Sequence, residues 1–164
     1  MKRLFVIRHG KAEPHGTTTD FDRTLTPRGL SDAHQLGVQT QSIHSNGSPI
    51  LVSAAMRTRQ TAEEIVRAWG TSTDHIEFLQ EGYLASDRAW LTWINAWSDD
   101  HDTGWIVGHN PGVSDLAGRL TDQTLWLPTC GMAEIELHAE SWASVFAGMG
   151  RLRSLSTPKS ILTS

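Results

Sequence analysis

The sequence predicts a three-layer α/β/α domain whose central sheet is mainly parallel and carries antiparallel strands near the carboxyl terminus. Two observations favour this class. Short apolar runs alternate with segments of helical spacing through most of the chain, as in proteins with a parallel sheet. Toward the end, two segments alternate apolar and polar residues, which is typical of antiparallel strands. The chain has 164 residues and shows no linker or internal repeat, so we expect one domain over residues 1–164, with a loose tail from about residue 157.

The first elements are a strand, a loop and a helix. Residues 4–7 are four large apolar side chains, typical of a strand buried on both faces. Residues 11–25 form a polar loop, long enough to suggest a functional role. Thr26 and Pro27 then predict a helix start, as N-cap and first-turn residue, and residues 46–47 (Asn-Gly) predict its end.

The middle of the chain continues this alternation. Residues 49–53 and 75–79 predict strands, and a helix is expected between them, from about residue 56 to residue 69. Ser86 predicts the N-cap of a further helix that carries several tryptophans, which we expect to pack in the core.

The last third begins with a buried strand at residues 105–109 and a helix at about 113–120. Residues 132–138 and 142–146 alternate in polarity and predict an antiparallel pair. Residues 151–164 are expected to give a last strand segment followed by loose chain.

Composition excludes several classes of function. The net charge of -4 argues against a basic nucleic-acid face. Cys130 is the only cysteine, so neither an intrachain disulfide nor a cysteine-rich zinc site is expected. The eight histidines have no metal-ligand spacing, and we expect no metal and no cofactor. No stretch is long enough to span a membrane, and the first apolar run is too short for a signal peptide, which favours a cytoplasmic location.

Residues suited to an anion follow three of the predicted strands. Arg8 and His9 end the first, Arg57 lies shortly after the second, and His109 ends the fourth. The carboxyl ends of parallel strands share one edge of a sheet, so these side chains should meet there. Two arginines and two histidines would supply the several donors that a tetrahedral phosphoryl group requires.

Four motifs connect this pattern to a known family. Arg8-His9-Gly10 resembles the R-H-G signature of the histidine phosphatase superfamily, which includes the cofactor-dependent phosphoglycerate mutases. The other three occur in the family's order and approximate spacing: Leu25-Thr26-x-x-Gly29, Ser53-x-x-x-Arg57-x-x-Gln60-Thr61 and Gly108-His109-Asn110-Pro111. The short length, Asp20-Phe21-Asp22-Arg23 and the closing Thr157-Pro158-Lys159 are most similar to the small phosphohistidine phosphatases of SixA type.

The resemblance implies a phosphoglycerate mutase-like fold and a metal-independent mechanism. His9 would attack phosphorus as a neutral imidazole and carry a phosphohistidine intermediate. Arg8 and Arg57 should lower the pKa of His9, because they disfavour a second positive charge nearby. By the same resemblance Arg8, Arg57 and His109 would bind the phosphoryl oxygens, and Arg23 would be a further phosphate contact.

The sequence leaves the general acid open. Superfamily members that cleave phosphate esters use a carboxylic acid to protonate the leaving oxygen, and SixA-type members lack the usual one. Glu81 lies near the position of that acid and is either a working acid or a polar residue on the pocket rim. Glu13 and Asp20 are further candidates, with a solvated loop position as the alternative.

Three functions remain open from the sequence. The first is hydrolysis of phosphohistidine in proteins, where the imidazole leaving group needs little acid assistance because its pKa is near neutrality. The second is hydrolysis of small phosphate esters. The third is binding of a phosphorylated ligand without catalysis, against which the intact His9 argues. A mutase is disfavoured because the chain is short. The expected partner is a phosphorylated substrate, with neither nucleic acid nor membrane.

Overall fold

The computed structural model describes residues 1–16 and 18–158, and this part of the chain folds around a mixed sheet. Its strands are β1 (Lys2–Arg8), β2 (Ile50–Ser53), β3 (Ile76–Leu79), β4 (Thr103–Gly108), β5 (Met132–Leu137) and β6 (Gly150–Ser156). Their order in the sheet is β3-β2-β4-β1-β5-β6. The first four are mutually parallel, whereas β5 runs antiparallel to β1 and β6 runs antiparallel to β5. The predicted fold class is therefore confirmed.

Helices cover both faces of the sheet. They are α1 (Pro27–Thr40), α2 (Met56–Trp69), α3 (Asp87–Asn95) and α4 (Gly112–Thr121). Alternate residues of β1 point to opposite sides, so Leu4 and Val6 pack against α3 and α4, while Phe5 and Ile7 pack against α1 and α2. Burying both faces of the parallel strands explains why their sequences are continuously apolar.

The helix starts follow the predicted caps. The Thr26 hydroxyl accepts a hydrogen bond from Gly29 N–H at 3.0 Å, and the Ser86 hydroxyl accepts one from Ala89 N–H at 3.2 Å. Helix α2 ends at Gly70, whose φ of 78° closes the helix in the left-handed conformation. These boundaries depend on adjacent residues, which is why the sequence located them.

Two predicted elements were wrong. Helix α1 ends at Thr40 rather than at residues 46–47. At this end the Thr40 hydroxyl donates to Leu36 O at 2.8 Å and accepts a hydrogen bond from the indole of Trp69. Residues 142–146 form no strand: a 3₁₀ turn spans Trp142–Ser144. The main-chain N–H of Trp142 donates to Asp99, at 2.8 Å, so it is not available to a strand ladder.

The antiparallel partner of β5 is instead β6, with Met132 opposite Ser156 and Leu137 opposite Gly150. The predicted last strand segment is thus confirmed. Of the tail expected to be loose from about residue 157, only Thr157 and Pro158 are described, and Pro158 is buried; residues 159–164, including Lys159, lie outside the described residues. Within the described ranges, no helix has both the length and the apolarity needed to cross a membrane.

Candidate active site

The site forms where β1, β4 and β2 end beside one another. Arg8 pairs in register with Gly108, so His9 and His109 leave neighbouring strands at the same level, and their ring centroids are 5.4 Å apart. A cavity of about 340 Å³ opens there. Its walls are Arg8, His9, Lys11, Ala12, Arg23, Arg57, Leu84, His109, Asn110 and Thr129. We call this cavity the phosphoryl pocket.

His9 is held in one tautomer. Its Nδ1 lies 2.7 Å from the carbonyl oxygen of Gly10, which can only accept, so Nδ1 carries the proton and donates. The Nε2 atom is then the bare nitrogen, and Arg57 Nε donates to it at 3.4 Å. Burial, with smaller contributions from the charges of Arg57 and Arg8, lowers the pKa of His9 to about 4, although the hydrogen bond to Gly10 opposes this shift. His9 is thus a neutral imidazole near pH 7.

The tip of β1 is fixed on both sides. The His9 N–H donates to Gly108 O at 3.2 Å, and Cys130 N–H donates to His9 O at 2.9 Å. The Gly10 N–H donates to the Thr61 hydroxyl at 3.0 Å, and that hydroxyl in turn donates to the carbonyl oxygen of Arg57 at 2.7 Å. Helix α2 therefore positions the histidine and Arg57 relative to each other.

Arg57 is the most enclosed cation of the phosphoryl pocket and is 4% exposed. Its terminal nitrogens donate to the main-chain oxygen of Asp20 at 2.7 Å and to the Asp20 carboxylate at 3.2 Å. The hydroxyl of Tyr83 donates a short hydrogen bond to the same carboxylate. Bonds from Tyr83, Arg23 and Arg57 hold the pKa of Asp20 well below its usual range, so Asp20 is an ionised counter-ion.

Arg8 and Arg23 complete the basic wall. Arg8 donates to Leu127 O at 3.2 Å, and its Nε atom is buried without a hydrogen-bond partner among the described residues. Burial and the like charge of Arg57 lower the pKa of Arg8. Arg23 donates to the Asp20 carboxylate at 2.8 Å. Gathering three guanidinium groups here is unfavourable unless anions compensate them, and Asp20 is the protein's own compensation.

His109 faces His9 from the end of β4. Its Nε2 atom lies 2.8 Å from the Ser53 hydroxyl, and its Nδ1 is buried without a partner in the described part of the chain. Burial, reinforced by the positive charge of Arg57, lowers the pKa of His109 to about 3. His109 is therefore also neutral near pH 7, and a neutral imidazole can still donate one hydrogen bond to an oxyanion.

The loop over residues 11–25 is fastened to the pocket. Leu25 N–H donates to the side chain of Gln60 at 2.7 Å, and Ala12 and Leu25 form an isolated β-bridge. The Arg23 Nε atom donates to the main-chain oxygen of Glu13 at 2.7 Å. These bonds give structural roles to Leu25 and Gln60, which belong to the sequence motifs that contain Thr26 and Arg57.

The structure places five of the six predicted site residues around one cavity: Arg8, His9, Arg23, Arg57 and His109. Glu81 is exposed and does not line the pocket. It lies in a 3₁₀ turn, Gln80–Gly82, whose Gly82 packs against the Ser53 backbone. Two residues that follow this turn reach the site, and the sequence analysis missed both: Leu84 lines the pocket, and Tyr83 bonds to Asp20 and contacts the ring of His109.

The other two carboxylate candidates also differ from expectation. Glu13 is exposed and takes part in the loop through its main chain, whose N–H donates to Thr24 O and whose oxygen accepts from Arg23. Asp20 lies at the site as an ion-paired acceptor rather than on a solvated loop. Tyr83 is the only tyrosine of the chain, a signal that could have drawn attention to it, but nothing local pairs it with Asp20.

Comparison with known proteins identifies the family. A sequence model of the histidine phosphatase superfamily, branch 1, matches residues 4–121, and the chain belongs to that superfamily. Members of this superfamily are generally phosphatases. A relative from Mycobacterium tuberculosis, described only as uncharacterised, is 29% identical over 93% of this chain and 100% of its own length.

Solved structures show the same fold. The chain is similar to a SixA protein of Agrobacterium tumefaciens, described as a candidate phosphohistidine phosphatase, with TM-score 0.80 and 25% identity over 96% of this chain and 98% of that one. It is also similar to the protein histidine phosphatase SixA complexed with tungstate, with TM-score 0.82 and 21% identity over 97% and 99% of the two chains. The resemblance inferred from the motifs is therefore confirmed.

Proposed function

We propose that this protein is a phosphatase that forms a phosphohistidine intermediate on His9, and that its substrate is phosphohistidine in proteins. The observation that carries the proposal is the state of His9. Its Nδ1 proton is committed to Gly10 O, and its bare Nε2 lies in a cavity with three arginines. A purely binding site has no need of a neutral nucleophile held in this tautomer.

The chemistry follows in two displacements. His9 Nε2 forms a bond to phosphorus while the bond between phosphorus and the substrate nitrogen breaks, and the departing imidazole takes up a proton from water. A water molecule then attacks phosphorus, the bond to Nε2 breaks, and inorganic phosphate leaves. Arg8, Arg23 and Arg57 neutralise the phosphoryl oxygens, and His109 donates a neutral hydrogen bond.

The leaving group is inferred from the carboxyl groups around the pocket. No carboxyl side chain lines the cavity among the described residues. Asp20 is held ionised, and Glu81 is exposed. An alkoxide leaving group requires a proton donor, whereas an imidazole leaves readily without one. This arrangement supports phosphohistidine as substrate.

The alternative is hydrolysis of small phosphate esters, which the position of Asp20 favours. A bound phosphoryl group would compete with Asp20 for Arg23 and Arg57, which would raise the pKa of its carboxyl group and make it a possible proton donor. Rates should therefore be compared for a phosphohistidine protein and a panel of esters, using the parent, Asp20→Asn and Glu81→Gln.

If Asp20 or Glu81 is the acid of an esterase, its substitution will lower ester hydrolysis by roughly 10²–10⁴-fold and phosphohistidine hydrolysis by no more than about tenfold. Unchanged ester rates in both variants would remove both carboxylates from the mechanism. If the parent also prefers phosphohistidine, the first proposal stands.

The phosphatase proposal itself is tested with His9→Ala. We expect this variant to lose hydrolysis of an activated aryl phosphate while keeping its circular dichroism spectrum and its affinity for tungstate, a tetrahedral oxyanion. Full activity in the variant would refute the mechanism. A parent protein that binds tungstate and hydrolyses nothing would be a phospho-ligand binder instead.

A further inference from the structure

A second cavity lies directly beside the phosphoryl pocket. It has a volume of about 340 Å³ and is lined by Lys11, Arg28, Asp32, Pro128, Thr129, Thr157 and Pro158. Lys11 and Thr129 line both cavities. We call the second cavity the Lys11–Arg28 groove. A molecule whose phosphoryl group occupies the first cavity can therefore extend into the second across these two residues.

Close main-chain packing builds the groove. Lys11 O accepts a hydrogen bond from Thr26 N–H at 2.9 Å, which joins the segment after β1 to the start of α1. A Cβ atom on Gly29 would lie 2.2 Å from Lys11 O, and one on Gly10 would lie 2.9 Å from Gly29 O. Only glycine at residue 29 permits this approach, and the approach brings Arg28 to the same cavity as Lys11.

The charges of the groove are poorly compensated. Lys11 forms no ion pair with any residue that the structure describes. Arg28 has one long contact, from its Nε atom to Asp32 at 3.8 Å, and its side chain is 60% exposed. Among the described residues that line the groove, Asp32 is the only carboxylate, whereas Lys11 and Arg28 are two cations. Arg23 and Arg57, by contrast, are both paired with Asp20.

We propose that the Lys11–Arg28 groove binds a second anionic group of the substrate, a carboxylate or phosphate that lies close to the transferred phosphoryl group. This inference rests on the proposed function, since it assigns the substrate's phosphoryl group to the neighbouring pocket. The Cα atoms of His9 and Lys11 are at most about 7 Å apart, because the two residues are only two positions apart in the chain. In a phosphohistidine peptide the second anion would thus be an acidic side chain within one or two positions of the phosphorylated residue.

The test compares substrates that differ only in the second anion. Two phosphohistidine peptides carry either glutamate or glutamine beside the phosphorylated residue, and phenyl phosphate is compared with its carboxylated analogue. We expect the parent to favour the anionic member through a lower KM. In Arg28→Gln the ratio of KM values between the neutral and the anionic substrate should fall by about 2- to 5-fold, which is the effect of one exposed ion pair. Phenyl phosphate, which lacks the second anion, should lose less in this variant than its carboxylated analogue does.

Arg151→Gln is the matched control, because Arg151 is exposed near the start of β6, opposite Glu136, whereas the groove lies beyond the other end of that strand, at Thr157 and Pro158. It should leave every preference unchanged. A preference confined to the peptides identifies a protein substrate, and one confined to the small esters identifies a small-molecule anion. Equal KM values for anionic and neutral members, or an unaltered preference in Arg28→Gln, would overturn the proposal.

A binding measurement separates this inference from the catalytic proposal. His9→Ala protein can be titrated with stable phosphohistidine analogues of the two peptides, which requires no turnover. Tighter binding of the glutamate peptide, reduced by adding Arg28→Gln, supports the groove even if the parent proves inactive. Equal affinities refute the groove even if the parent is an efficient phosphatase.

Discussion

Acidification from pH 7 to pH 5 is expected to lower the free energy of unfolding by about 4 kcal/mol through His9 and His109. The two imidazoles are 9% and 3% exposed, and their pKa values are lowered to about 4 and about 3. In the unfolded chain a histidine has an ordinary pKa of about 6.5. Between these values the unfolded state binds more protons, so stability falls as the pH falls.

The magnitude depends on the unfolded chain alone. Both folded-state pKa values lie below 5, so at pH 5 the folded protein keeps both rings neutral while the unfolded chain has protonated them. The gap of about 1.5 pH units between 6.5 and 5 corresponds to roughly 2 kcal/mol for each residue. The folded-state pKa of Asp20 is also lowered. Its unfolded-state pKa is near 4, so Asp20 changes the unfolding free energy only below about pH 5.

Urea unfolding at pH 7, 6 and 5 measures the effect through linear extrapolation of the unfolding free energy. His109→Asn should lose about 2 kcal/mol less than the parent over this range, and so should His9→Asn. Ser53→Ala is the control, since it removes the hydroxyl beside His109 but keeps both imidazoles. The claim that both histidines are buried in the neutral form would be refuted if the parent lost less than about 1 kcal/mol of unfolding free energy between pH 7 and pH 5. It would also be refuted if His109→Asn lost as much as the parent.

Three further predictions concern packing and the ion-pair network. Gly29→Ala places a Cβ atom 2.2 Å from a main-chain oxygen, so we expect it to lower the free energy of unfolding in urea by about 1–3 kcal/mol. Gly16→Ala is the control: its Cβ atom would lie in open space, and the urea midpoint should change little. Trp142→Ala removes a fully buried indole and should cost about 3–5 kcal/mol by thermal unfolding, while Trp126→Ala, at a 64% exposed site, should stay within about 0.5 kcal/mol. Asp20→Asn keeps the side-chain size but removes the counter-ion of the buried arginine, and we expect kcat to fall in stopped-flow assays with phosphohistidine protein, by no more than about tenfold. An unchanged kcat would show that Asp20 does not orient that arginine.

The sequence alone located most of the site, because the relevant signals are local. Apolar runs that stop abruptly mark the strand ends, and the parallel order of those strands brings Arg8, His9, Arg57 and His109 to one edge. Helix α2 was predicted at its observed bounds, Met56–Trp69, since a terminal glycine and helical spacing act on neighbouring residues.

The tertiary structure decided what depends on distant pairs. Asp20 meets Arg57 across 37 residues and Tyr83 across 63, so no spacing rule connects them. The same holds for Trp69, whose indole meets Thr40 at the end of α1. A carboxylate that looks like a possible acid in the sequence is an ionised counter-ion in the fold, because its pKa depends on which charges the chain brings beside it. The residue types at the strand ends are enough to predict where an anion can bind. Which groups hold a proton there depends on the tertiary contacts of the loops that carry Asp20 and Tyr83.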